Sequence, residues 1–583
     1  MTVIERAENW ISHDPDPVAK SELSAIVQRA KDGDDAASKD LGERMSGPLE
    51  FGTAGLRGVI GAGESRMNRA VVRRTTFGLG KYLLAQPTLR AKTQGVAIGY
   101  DGRRMSRELA EDTACVLAAL GIPSFFSPGV CPTPVTAYAV TRFGACAGAM
   151  ITASHNPPEY NGYKVYWGNG AQIIPPHDKG IAAEIAKGPE ADAIPLLDFE
   201  EAKRAGLVRE FPADLESSYL DAVQALSLER GGDRSMPIVY TPLHGVGNRL
   251  VRETLARAGF TAVTSVPEQA EPDGEFPTVA FPNLEEKGAL DLSYALADKL
   301  GADLIIASDP DVDRLAIAVR VSGKWVQLTG NQVGVLLGHY LLTEGDQSGE
   351  RTVLASCVSS PQLGGIARAL GVYYEETLTG FKWIANRAME LEKERNLRFV
   401  FGYEEALGYT VGPLVRDKDG ISAALLFAEL FVKLRDAGKT ATDELERIAR
   451  AYGLYASGQV SVTMKGQDGL ERIQAAMRGL RERTLTEVGP LAVVALSDVK
   501  AGTRKDASGA ETKLALPPSD VLIYELAGEC RIIARPSGTE PKLKIYFDVK
   551  ETMKAGEPLA DAEKRAATTM DALKKAFATI AGV

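Results

Sequence analysis

Short apolar runs alternate with amphipathic stretches through most of this chain. Residues 95–100 form an apolar run typical of a buried strand, and residues 107–120 carry apolar side chains at helical spacing. A further strand is predicted from Pro123. The same order of apolar run and amphipathic helix recurs at 236–258 and again at 352–370. This alternation of strands and helices predicts an α/β fold.

The pattern predicts three successive α/β units, and each unit ends a core strand in a polar loop. These loops are 152–157 (Thr-Ala-Ser-His-Asn-Pro), 308–314 (Ser-Asp-Pro-Asp-Val-Asp-Arg) and 402–409 (Gly-Tyr-Glu-Glu-Ala-Leu-Gly-Tyr). Ligands of open α/β sheets bind beyond the carboxyl ends of the strands. We therefore expect the three loops to carry the chemistry of this protein.

The expected architecture has four domains, namely three similar α/β domains with mixed sheets and a smaller α+β C-terminal domain. Residues 501–513 are rich in Gly, Lys, Asp and Ser, which predicts a mobile loop. The predicted segments are a helical N-terminal extension (1–48), domain 1 (49–210), domain 2 (211–324), domain 3 (325–455) and domain 4 (456–583).

Composition narrows the class of protein. The 583 residues are 45% hydrophobic and 25% charged, which is typical of a globular protein. A net charge of -10 leaves no basic surplus for nucleic acid, and no run of about 18 apolar residues predicts a membrane span. The N-terminus has no apolar signal segment, and the five cysteines form no metal or disulfide motif. We therefore expect a cytoplasmic protein with reduced thiols.

Asp309, Asp311 and Asp313 occupy alternate positions directly after an apolar strand. An extended segment would place the three carboxylates on one side, where they would repel one another unless a cation lay between them. Hard oxygen ligands favour Mg²⁺ or Ca²⁺. An EF-hand is excluded, because its sixth and twelfth positions are Arg314 and Arg320 here rather than Gly and Glu. The alternative is a solvated acidic loop.

Other motifs suit an anionic, hydroxylated ligand. Arg57 lies among three glycines at 51–58, and the segment 535–541 (Arg-Pro-Ser-Gly-Thr-Glu-Pro) offers a guanidinium, hydroxyls and backbone N–H groups to a phosphate. Glu404 could accept hydrogen bonds from sugar hydroxyls. Lys164 is a candidate general acid or base if burial or nearby charge depresses its pKa. Taken singly, each motif could equally be an ordinary turn or an exposed charge.

Together, the loops at 152–157, 309–314, 404–408 and 535–541 resemble, in order, the phosphoserine, metal, sugar-binding and phosphate-binding loops of the α-D-phosphohexomutases, the phosphoglucomutase/phosphomannomutase superfamily. The resemblance covers about residues 50–550. The segment 379–382 (Thr-Gly-Phe-Lys) and Ala406, where many members have Ser, are closest to the branch containing phosphoglucomutase-2 and phosphopentomutase. The family implies four domains around a central cleft.

The resemblance also implies a role for particular residues. Ser154 would be phosphorylated in the resting enzyme and would bind Mg²⁺ together with Asp309, Asp311 and Asp313. The catalytic group would be Ser154, Lys164, Arg57 and His155. The substrate would be held by Arg314, Thr379, Gly380, Lys382, Glu404, Arg535, Ser537, Gly538 and Thr539.

The implied reaction is a reversible conversion of glucose 1-phosphate into glucose 6-phosphate, with glucose 1,6-bisphosphate as intermediate and activator. Phosphomannomutase and phosphopentomutase activities remain alternatives. A phosphotransferase of the haloacid-dehalogenase type, with Asp309 as nucleophile, is a weaker alternative, because a third aspartate replaces the usual Thr or Val. A non-catalytic sugar-phosphate-binding protein is the last alternative. The expected partners are small sugar phosphates, and the oligomeric state, monomer or dimer, stays open.

Overall fold

The computed structural model describes residues 1–52, 55–464, 469–537 and 542–582. Two compact units make up the chain. Within the described residues, no helix combines the length and the apolar character that crossing a membrane requires. Unit 1 comprises Met1–Leu328 and Gly408–Glu429, and unit 2 comprises Thr329–Leu407 and Leu430–Val583.

The predicted helical extension consists of three helices in unit 1. Side chains of Thr2, Asp16 and Asp34 cap their N-termini, which explains where each helix begins. Their apolar faces form a small core of their own. Arg44 at the end of the third helix donates to the carbonyl of Ala62 at 3.0 Å. The helices are α1 (Val3–His13), α2 (Pro17–Lys31) and α3 (Asp35–Arg44).

The first α/β layer is a mixed sheet in the order β1-β5-β4-β2-β3-β6. Strands β4, β2, β3 and β6 run parallel, whereas β5 and β1 run antiparallel to their neighbours. Every residue of β2 and β4 is buried, as the apolar runs predict. The elements are β1 (Leu56–Val59), α4 (Arg69–Ala85), α5 (Ala91–Gln94), β2 (Val96–Tyr100), α6 (Ser106–Ala119), β3 (Ser124–Phe126), α7 (Thr133–Phe143), β4 (Ala147–Ile151), β5 (Tyr160–Trp167), α8 (His177–Lys187), α9 (Phe199–Arg204), β6 (Val208–Glu210) and α10 (Leu215–Gln224).

The second layer, also in unit 1, is a mixed sheet in the order β11-β10-β9-β7-β8. Its central strands β9, β7 and β8 are parallel, and β10 returns antiparallel to β9. The elements are β7 (Ile238–Thr241), α11 (Asn248–Arg257), β8 (Val263–Ser265), α12 (Asp291–Leu300), β9 (Leu304–Ser308), β10 (Leu315–Val321) and β11 (Lys324–Gln327).

The third layer lies in unit 2, where β12 pairs in parallel with both β13 and β14. Its elements are α13 (Gly330–Glu344), β12 (Arg351–Ser356), α14 (Gln362–Ala369), β13 (Tyr373–Thr377), α15 (Phe381–Arg395) and β14 (Arg398–Glu404). The chain continues with β15 (Gly408–Val411), α16 (Gly420–Asp436) and α17 (Ala441–Tyr452).

The predicted structural repeat is visible in the strand order. In each layer the third strand (β4, β9 or β14) pairs with the first (β2, β7 or β12), and the second strand lies on the first strand's other side. The loops at 152–157 and 308–314 therefore both follow the carboxyl end of a third strand, before an antiparallel fourth strand. Glu404 ends the third strand of its layer. The topology thus gives all three predicted loops equivalent positions.

The C-terminal region of unit 2 is an antiparallel sheet covered by helices. The prediction of a mobile loop at 501–513 is wrong, because β19 and β20 form a hairpin there. These strands are short and polar, so they lack the apolar alternation that would have identified them. The elements are β16 (Leu454–Thr463), α18 (Gly469–Glu482), β17 (Glu487–Val488), β18 (Leu491–Asp498), β19 (Thr503–Asp506), β20 (Glu511–Lys513), β21 (Leu522–Leu526), β22 (Cys530–Pro536), β23 (Lys542–Glu551) and α19 (Leu559–Ala581).

Candidate active site

Ser154 lies in the loop between β4 and β5 and is 1% exposed. Its φ angle of 54° is in the left-handed region, which a residue with a side chain rarely adopts. The loop stabilises this conformation, since the Ser154 N–H donates to Thr152 Oγ1 at 2.8 Å. Backbone strain of this kind concentrates at functional sites, where the surrounding structure holds it in place.

Arg103 is a residue of this site that the sequence analysis missed. Its guanidinium donates to the carbonyl oxygens of Ser154 (2.6 Å), Pro157 (2.9 Å) and Tyr160 (3.1 Å). The side chain is 1% exposed and lies 3.6 Å from the equally buried Asp101. It therefore holds the Ser154 loop through its backbone. The available signal was a run of charged residues directly after the buried strand β2.

The carboxylates of Asp309, Asp311 and Asp313 converge, but not in the way the alternating pattern predicts. The segment is a turn rather than an extended strand, because Val312 has a φ of 65° and donates its N–H to the carbonyl of Asp309 at 3.0 Å. One ligand atom from each carboxylate lies within 4.8 Å of the others, and all three residues are buried. The prediction of extended geometry is therefore wrong.

A neighbouring glycine allows the acidic turn to pack closely. A Cβ atom at Gly245 would lie 2.3 Å from the Cα of Pro310, so only glycine fits without a shift of backbone. The adjacent Val246 N–H donates to the carbonyl of Pro310 at 2.9 Å. The loop after β7 thereby fixes the acidic turn after β9.

Two lysines meet the acidic cluster. Lys164 Nζ lies 2.6 Å from Asp311 Oδ2 and 2.8 Å from Asp313 Oδ2 and is 1% exposed. It lies on β5, opposite Met150 of β4. Lys418 Nζ lies 3.1 Å from Asp313 Oδ2. The sequence analysis missed Lys418, although it stands in a charged tract immediately before the apolar helix α16.

The pKa values follow from this arrangement of charges. Burial and the charges of the other two aspartates raise the pKa of Asp309 well above its usual range. Burial also acts to raise the pKa values of Asp311 and Asp313. For Asp311, Lys164 and the Thr133 hydroxyl outweigh burial, and for Asp313, Lys164, Lys418 and Arg314 do so, and both pKa values are lowered. Burial lowers the pKa of Lys164, yet Asp311 and Asp313 outweigh it, and the net shift is upward. The depressed pKa that a neutral Lys164 would need is not found.

The donor set fits a hard divalent cation. The Oδ1 atoms of Asp311 and Asp313 are buried and have no hydrogen-bond partner among the described residues. Ser154 Oγ donates to Asp309 Oδ2 at 2.7 Å, which brings the hydroxyl into the same group. Carboxylate and hydroxyl oxygens are ligands that Mg²⁺ accepts, and orphaned buried carboxylate oxygens are costly without a cation.

The remaining predicted residues of unit 1 lie around Ser154. Arg57 Nη1 donates to Asn156 Oδ1 at 2.8 Å, and His155 Nδ1 lies 3.1 Å from Ser154 Oγ. The Arg314 N–H donates to Asp309 Oδ1 at 3.0 Å. Burial, together with the charges of Arg314 and Arg57, lowers the pKa of His155 well below its usual value. Both effects favour the neutral form of His155.

In unit 2, the residues predicted to hold the sugar also lie together. Glu404 Oε1 accepts a hydrogen bond from the N–H of Gly380 at 2.7 Å, and Gly380 has a φ of 109° that favours glycine. Thr379 precedes this glycine, and Lys382 lies in the first turn of α15 with its Nζ 6.0 Å from the ring of Trp383.

The predicted phosphate loop is described only in part. Arg535 lies on β22 opposite Lys544 of β23, and the N–H of Ser537 donates to the carbonyl of Lys542 at 2.8 Å. Gly538 and Thr539 lie outside the described residues, as do Thr53 and Ala54 of the predicted glycine-rich segment 51–58. Arg57, predicted in the same segment, lies on β1. The individual roles of all these residues remain predictions.

Comparisons with known proteins identify the family of this chain. Four family models of phosphoglucomutase/phosphomannomutase match the chain: the three α/β/α domains at residues 48–192, 217–323 and 329–452, and the C-terminal domain at residues 498–566. The fold is that of a phosphosugar mutase. The chain belongs to the phosphoglucomutase/phosphomannomutase family, the α-D-phosphohexomutase superfamily. The five segment boundaries predicted from the sequence remain predictions.

Relatives differ in the sugar that their names state. A probable phosphoribomutase from Schizosaccharomyces pombe is 38% identical over 98% of this chain and 97% of its own length. A probable phosphomannomutase from Haemophilus influenzae is 41% identical over 83% of this chain and 93% of its own. A phosphoglucomutase from Staphylococcus epidermidis is 36% identical over 88% of this chain and 92% of its own.

A solved structure shows the same fold. Parafusin, a phosphoglucomutase from Paramecium solved in an open form, matches with a TM-score of 0.66 at 17% identity, over 92% of this chain and 97% of that one. At this identity the likeness concerns the fold alone.

Proposed function

We propose that this protein is a Mg²⁺-dependent mutase that moves a phosphoryl group between the two ends of an aldose phosphate, with Ser154 as the carrier. The observation that carries the proposal is the position of Ser154 Oγ, 2.7 Å from Asp309 Oδ2 within a buried acidic cluster. A hydroxyl in a strained loop beside a cation site suits a phosphoserine.

The proposed reaction has two transfers. In the first, the bond between phosphorus and Ser154 Oγ breaks, a bond forms to a sugar hydroxyl oxygen, the freed Ser154 Oγ takes up a proton and the attacking hydroxyl gives one up. The product is a sugar bisphosphate, such as glucose 1,6-bisphosphate. In the second, the bond between the opposite phosphoryl group and its sugar oxygen breaks, a bond forms to Ser154 Oγ, which gives up its proton, and the freed sugar oxygen takes one up. Positioning and charge neutralisation supply most of the rate of such transfers.

The residues of unit 1 would have separate roles in metal binding and proton transfer. Asp309, Asp311, Asp313 and Ser154 would hold the metal, which would withdraw charge from the phosphoryl group. Lys164 holds a proton between two carboxylates, and Arg57 presents a guanidinium to the same loop. We propose that in each transfer Lys164 gives its proton to the oxygen that is freed, Ser154 Oγ in the first and the sugar oxygen in the second, and receives one from the oxygen that attacks.

The residues of unit 2 would bind the sugar and the phosphate that does not react. Glu404 would accept hydrogen bonds from sugar hydroxyls, and Lys382 and Thr379 would lie beside it. Arg535 and Ser537 would bind the distant phosphate, because a guanidinium beside backbone N–H groups is a strong phosphate-binding arrangement.

We propose a pentose phosphate pair, ribose 1-phosphate and ribose 5-phosphate, as the first substrate and the glucose phosphates as the second. The phosphoribomutase relative aligns with 98% of this chain, including the N-terminal extension. Ala406 also offers no hydroxyl to a sugar, which suits a substrate with fewer hydroxyl groups. The phosphoglucomutase relative, aligned with 88% of the chain, supports the second choice. This order reverses the expectation from the sequence.

A substrate panel tests the proposal. We expect turnover of ribose 1-phosphate, glucose 1-phosphate and mannose 1-phosphate with Mg²⁺ and the matching bisphosphate, with the highest kcat/KM for ribose 1-phosphate. Intact-protein mass should show one phosphate on the wild type and none on Ser154→Ala. Full activity in Ser154→Ala would exclude the carrier role, and binding of all three sugar phosphates without turnover would indicate a binding protein.

A further inference from the structure

Arg531 is a buried arginine of unit 2 that the proposed reaction does not use. It lies on β22, four residues before Arg535, and its side chain is 10% exposed. Residues two and four apart on a strand face the same side. Arg531, Ile533 and Arg535 therefore share one face of the C-terminal sheet, and Ile533 packs there against Cys357 and Leu378 of the third α/β layer.

The guanidinium of Arg531 joins three separate segments. Its Nη1 donates to both carboxylate oxygens of Glu376 on β13, at 2.8 and 2.9 Å, and its Nε donates to Asp548 Oδ2 on β23 at 2.7 Å. Its Nη2 donates to the carbonyl oxygen of Ser359, in the turn after β12. Burial opposes the charge, but Glu376 and Asp548 raise the pKa of Arg531 well above its usual value. The side chain is thus a permanent cation with its hydrogen bonds made.

The Ser359 turn leads directly to the sugar-binding loop. Ser359 Oγ accepts the N–H of Glu405 at 3.0 Å. The hydroxyls of Ser356 and Ser359 lie 3.2 and 3.3 Å from Glu405 Oε2. Glu405 is the immediate neighbour of Glu404, so Arg531 is connected through one turn to the loop proposed to hold the sugar.

The same arginine is connected to the phosphate end of the proposed site. At about 3.3 Å per residue, Arg535 lies roughly 13 Å further along β22. Glu376 is likewise three residues before Thr379, which begins the segment that contacts Glu404 through Gly380. A single guanidinium therefore connects the strand that carries Arg535 with both segments proposed to contact the sugar.

We propose that Arg531 is a positioning residue that sets the spacing between the sugar-binding loop and the phosphate-binding strand, and with it the length of sugar phosphate accepted. This inference rests on the proposed function. A pentose 5-phosphate is shorter than a hexose 6-phosphate by one carbon–carbon bond, about 1.5 Å. A displacement of about 1 Å can change a rate by about 100-fold, so a rigid three-way contact is a sufficient cause of selectivity.

Two other Arg–Glu pairs of unit 2 provide matched controls for the contact between Arg531 and Glu376. Glu375, next to Glu376 on β13, pairs with Arg387 of α15 at 2.7 and 3.1 Å, and among the described residues it makes no hydrogen bond or ion pair with the C-terminal sheet. Arg504 pairs with Glu525 within the C-terminal sheet at 2.7 and 2.6 Å. Both are bidentate Arg–Glu pairs of unit 2, but neither joins the third layer to that sheet.

The experiment compares Arg531→Lys and Glu376→Gln with Arg504→Lys and Glu375→Gln in the full-length protein. Lysine keeps the charge but cannot contact three acceptors with a planar fork. We expect Arg531→Lys and Glu376→Gln to raise KM and to change the ratio of kcat/KM for ribose 1-phosphate and glucose 1-phosphate by at least about fivefold. The phosphate content of Ser154, read from intact mass, should not change, and both controls should keep the wild-type ratio.

A lower melting temperature with an unchanged KM and an unchanged substrate ratio would overturn the inference, because it would make Arg531 a structural residue only. If Arg531→Lys does not fold, Tyr374→Phe is the milder variant, since the Tyr374 hydroxyl donates to Glu376 Oε1 at 3.0 Å. The same shift in ratio, of smaller size, is expected there.

Failure of the proposed function can be distinguished from failure of this inference. If the wild type turns over neither sugar phosphate, the mutase proposal fails. Calorimetric binding of ribose 5-phosphate and glucose 6-phosphate then tests the spacing alone. A changed ratio of the two dissociation constants in Arg531→Lys supports the inference, and an unchanged ratio overturns it.

Discussion

Both units bury charged side chains, but the two units differ in whether other protein groups supply all the hydrogen-bond partners of those side chains. In unit 1, Asp309, Asp311 and Asp313 crowd three carboxylates together, and two of their oxygens have no hydrogen-bond partner in the described part of the chain. In unit 2, Arg531 and its carboxylate partners make close hydrogen bonds with good geometry. The first arrangement is incomplete without a cation, whereas the second is complete as it stands.

This difference separates a binding site from a positioning contact. A buried charge with unpartnered atoms is unfavourable unless a ligand supplies the partner. A buried charge whose partners are all protein groups has no free atom for a ligand. Removing one partner lowers the stability of the fold, because the remaining charges stay buried without their partner. The following predictions test the comparison, in order of decreasing effect.

The largest effect is expected for the nucleophile. Ser154→Ala should lower kcat on the order of 10⁴-fold or more, because the carrier of the phosphoryl group is lost. Ser227→Ala is the matched control, since the Ser227 hydroxyl also donates to a buried carboxylate of unit 1, that of Glu429. The control should keep its activity. Steady-state kinetics with added sugar bisphosphate measure kcat for both variants. Comparable losses of kcat in the two variants would contradict a special role for Ser154.

The next effect concerns the completed contact in unit 2. Arg531→Met should lower the free energy of unfolding by about 3–5 kcal/mol, because the buried Asp548 and the partly buried Glu376 lose their cation. Arg504→Met, at a pair that is about one-third exposed, should cost no more than about 1 kcal/mol. Urea unfolding monitored by circular dichroism gives both values, and equal losses would contradict the contrast.

The incomplete cluster in unit 1 should behave in the opposite way. In EDTA, Asp309→Asn should be at least as stable as the wild type, because it removes one of three repelling carboxylates. At Mg²⁺ concentrations about 100 times the dissociation constant, the wild type should gain about 2.7 kcal/mol and the variant much less. Melting curves with and without Mg²⁺ measure this. If Asp309→Asn in EDTA loses as much stability as Glu376→Gln, the acidic cluster of unit 1 is as complete without a cation as the Arg531 contact of unit 2, and the comparison fails.

A smaller effect, on the pH dependence of stability, is expected at His339, a buried side chain of unit 2 whose neutral form is favoured. Burial and the adjacent Arg447 lower its pKa to about 4, although Glu444 acts to raise it. The unfolded chain, with an ordinary histidine pKa, therefore binds the proton first, and stability is lost as the pH falls below about 6.5.

Between pH 7.5 and pH 5 this loss should reach about 2 kcal/mol. His339→Gln keeps a polar side chain and cannot titrate, so its stability should fall by that much less over the same range. Parallel pH-dependent stability curves for the wild type and His339→Gln would contradict the assigned pKa.

Particular residues show how far the sequence predicted this protein. The apolar runs predicted β2, β4, β7, β9, β12 and β14, because buried parallel strands are apolar throughout. The polar hairpin of β19 and β20 was missed, because cross-strand pairing rather than an apolar pattern stabilises it. The association of Gly408–Glu429 with unit 1 was also missed. Such an association depends on long-range packing, which leaves no local periodicity.

The candidate site divides in the same way. Ser154 and the three aspartates were found because residue type and spacing report chemistry directly. Arg103 and Lys418 were missed because a lysine or arginine is usually exposed, and nothing local distinguishes one that will be buried. The lowered pKa that would make Lys164 neutral was not found, because the pKa of Lys164 depends on the two carboxylates that the fold places against it.

The sequence by itself determined the alternation of strands and helices, the position of each polar loop after a core strand and the family to which the loops belong. These features depend on local order along the chain. Only the tertiary structure decided that the acidic segment turns at Val312, that Lys164 and Lys418 meet it, and that Arg531 joins three segments. The contacts of Lys164, Lys418 and Arg531 join residues far apart in sequence, and their energy depends on burial that the chain acquires only by folding.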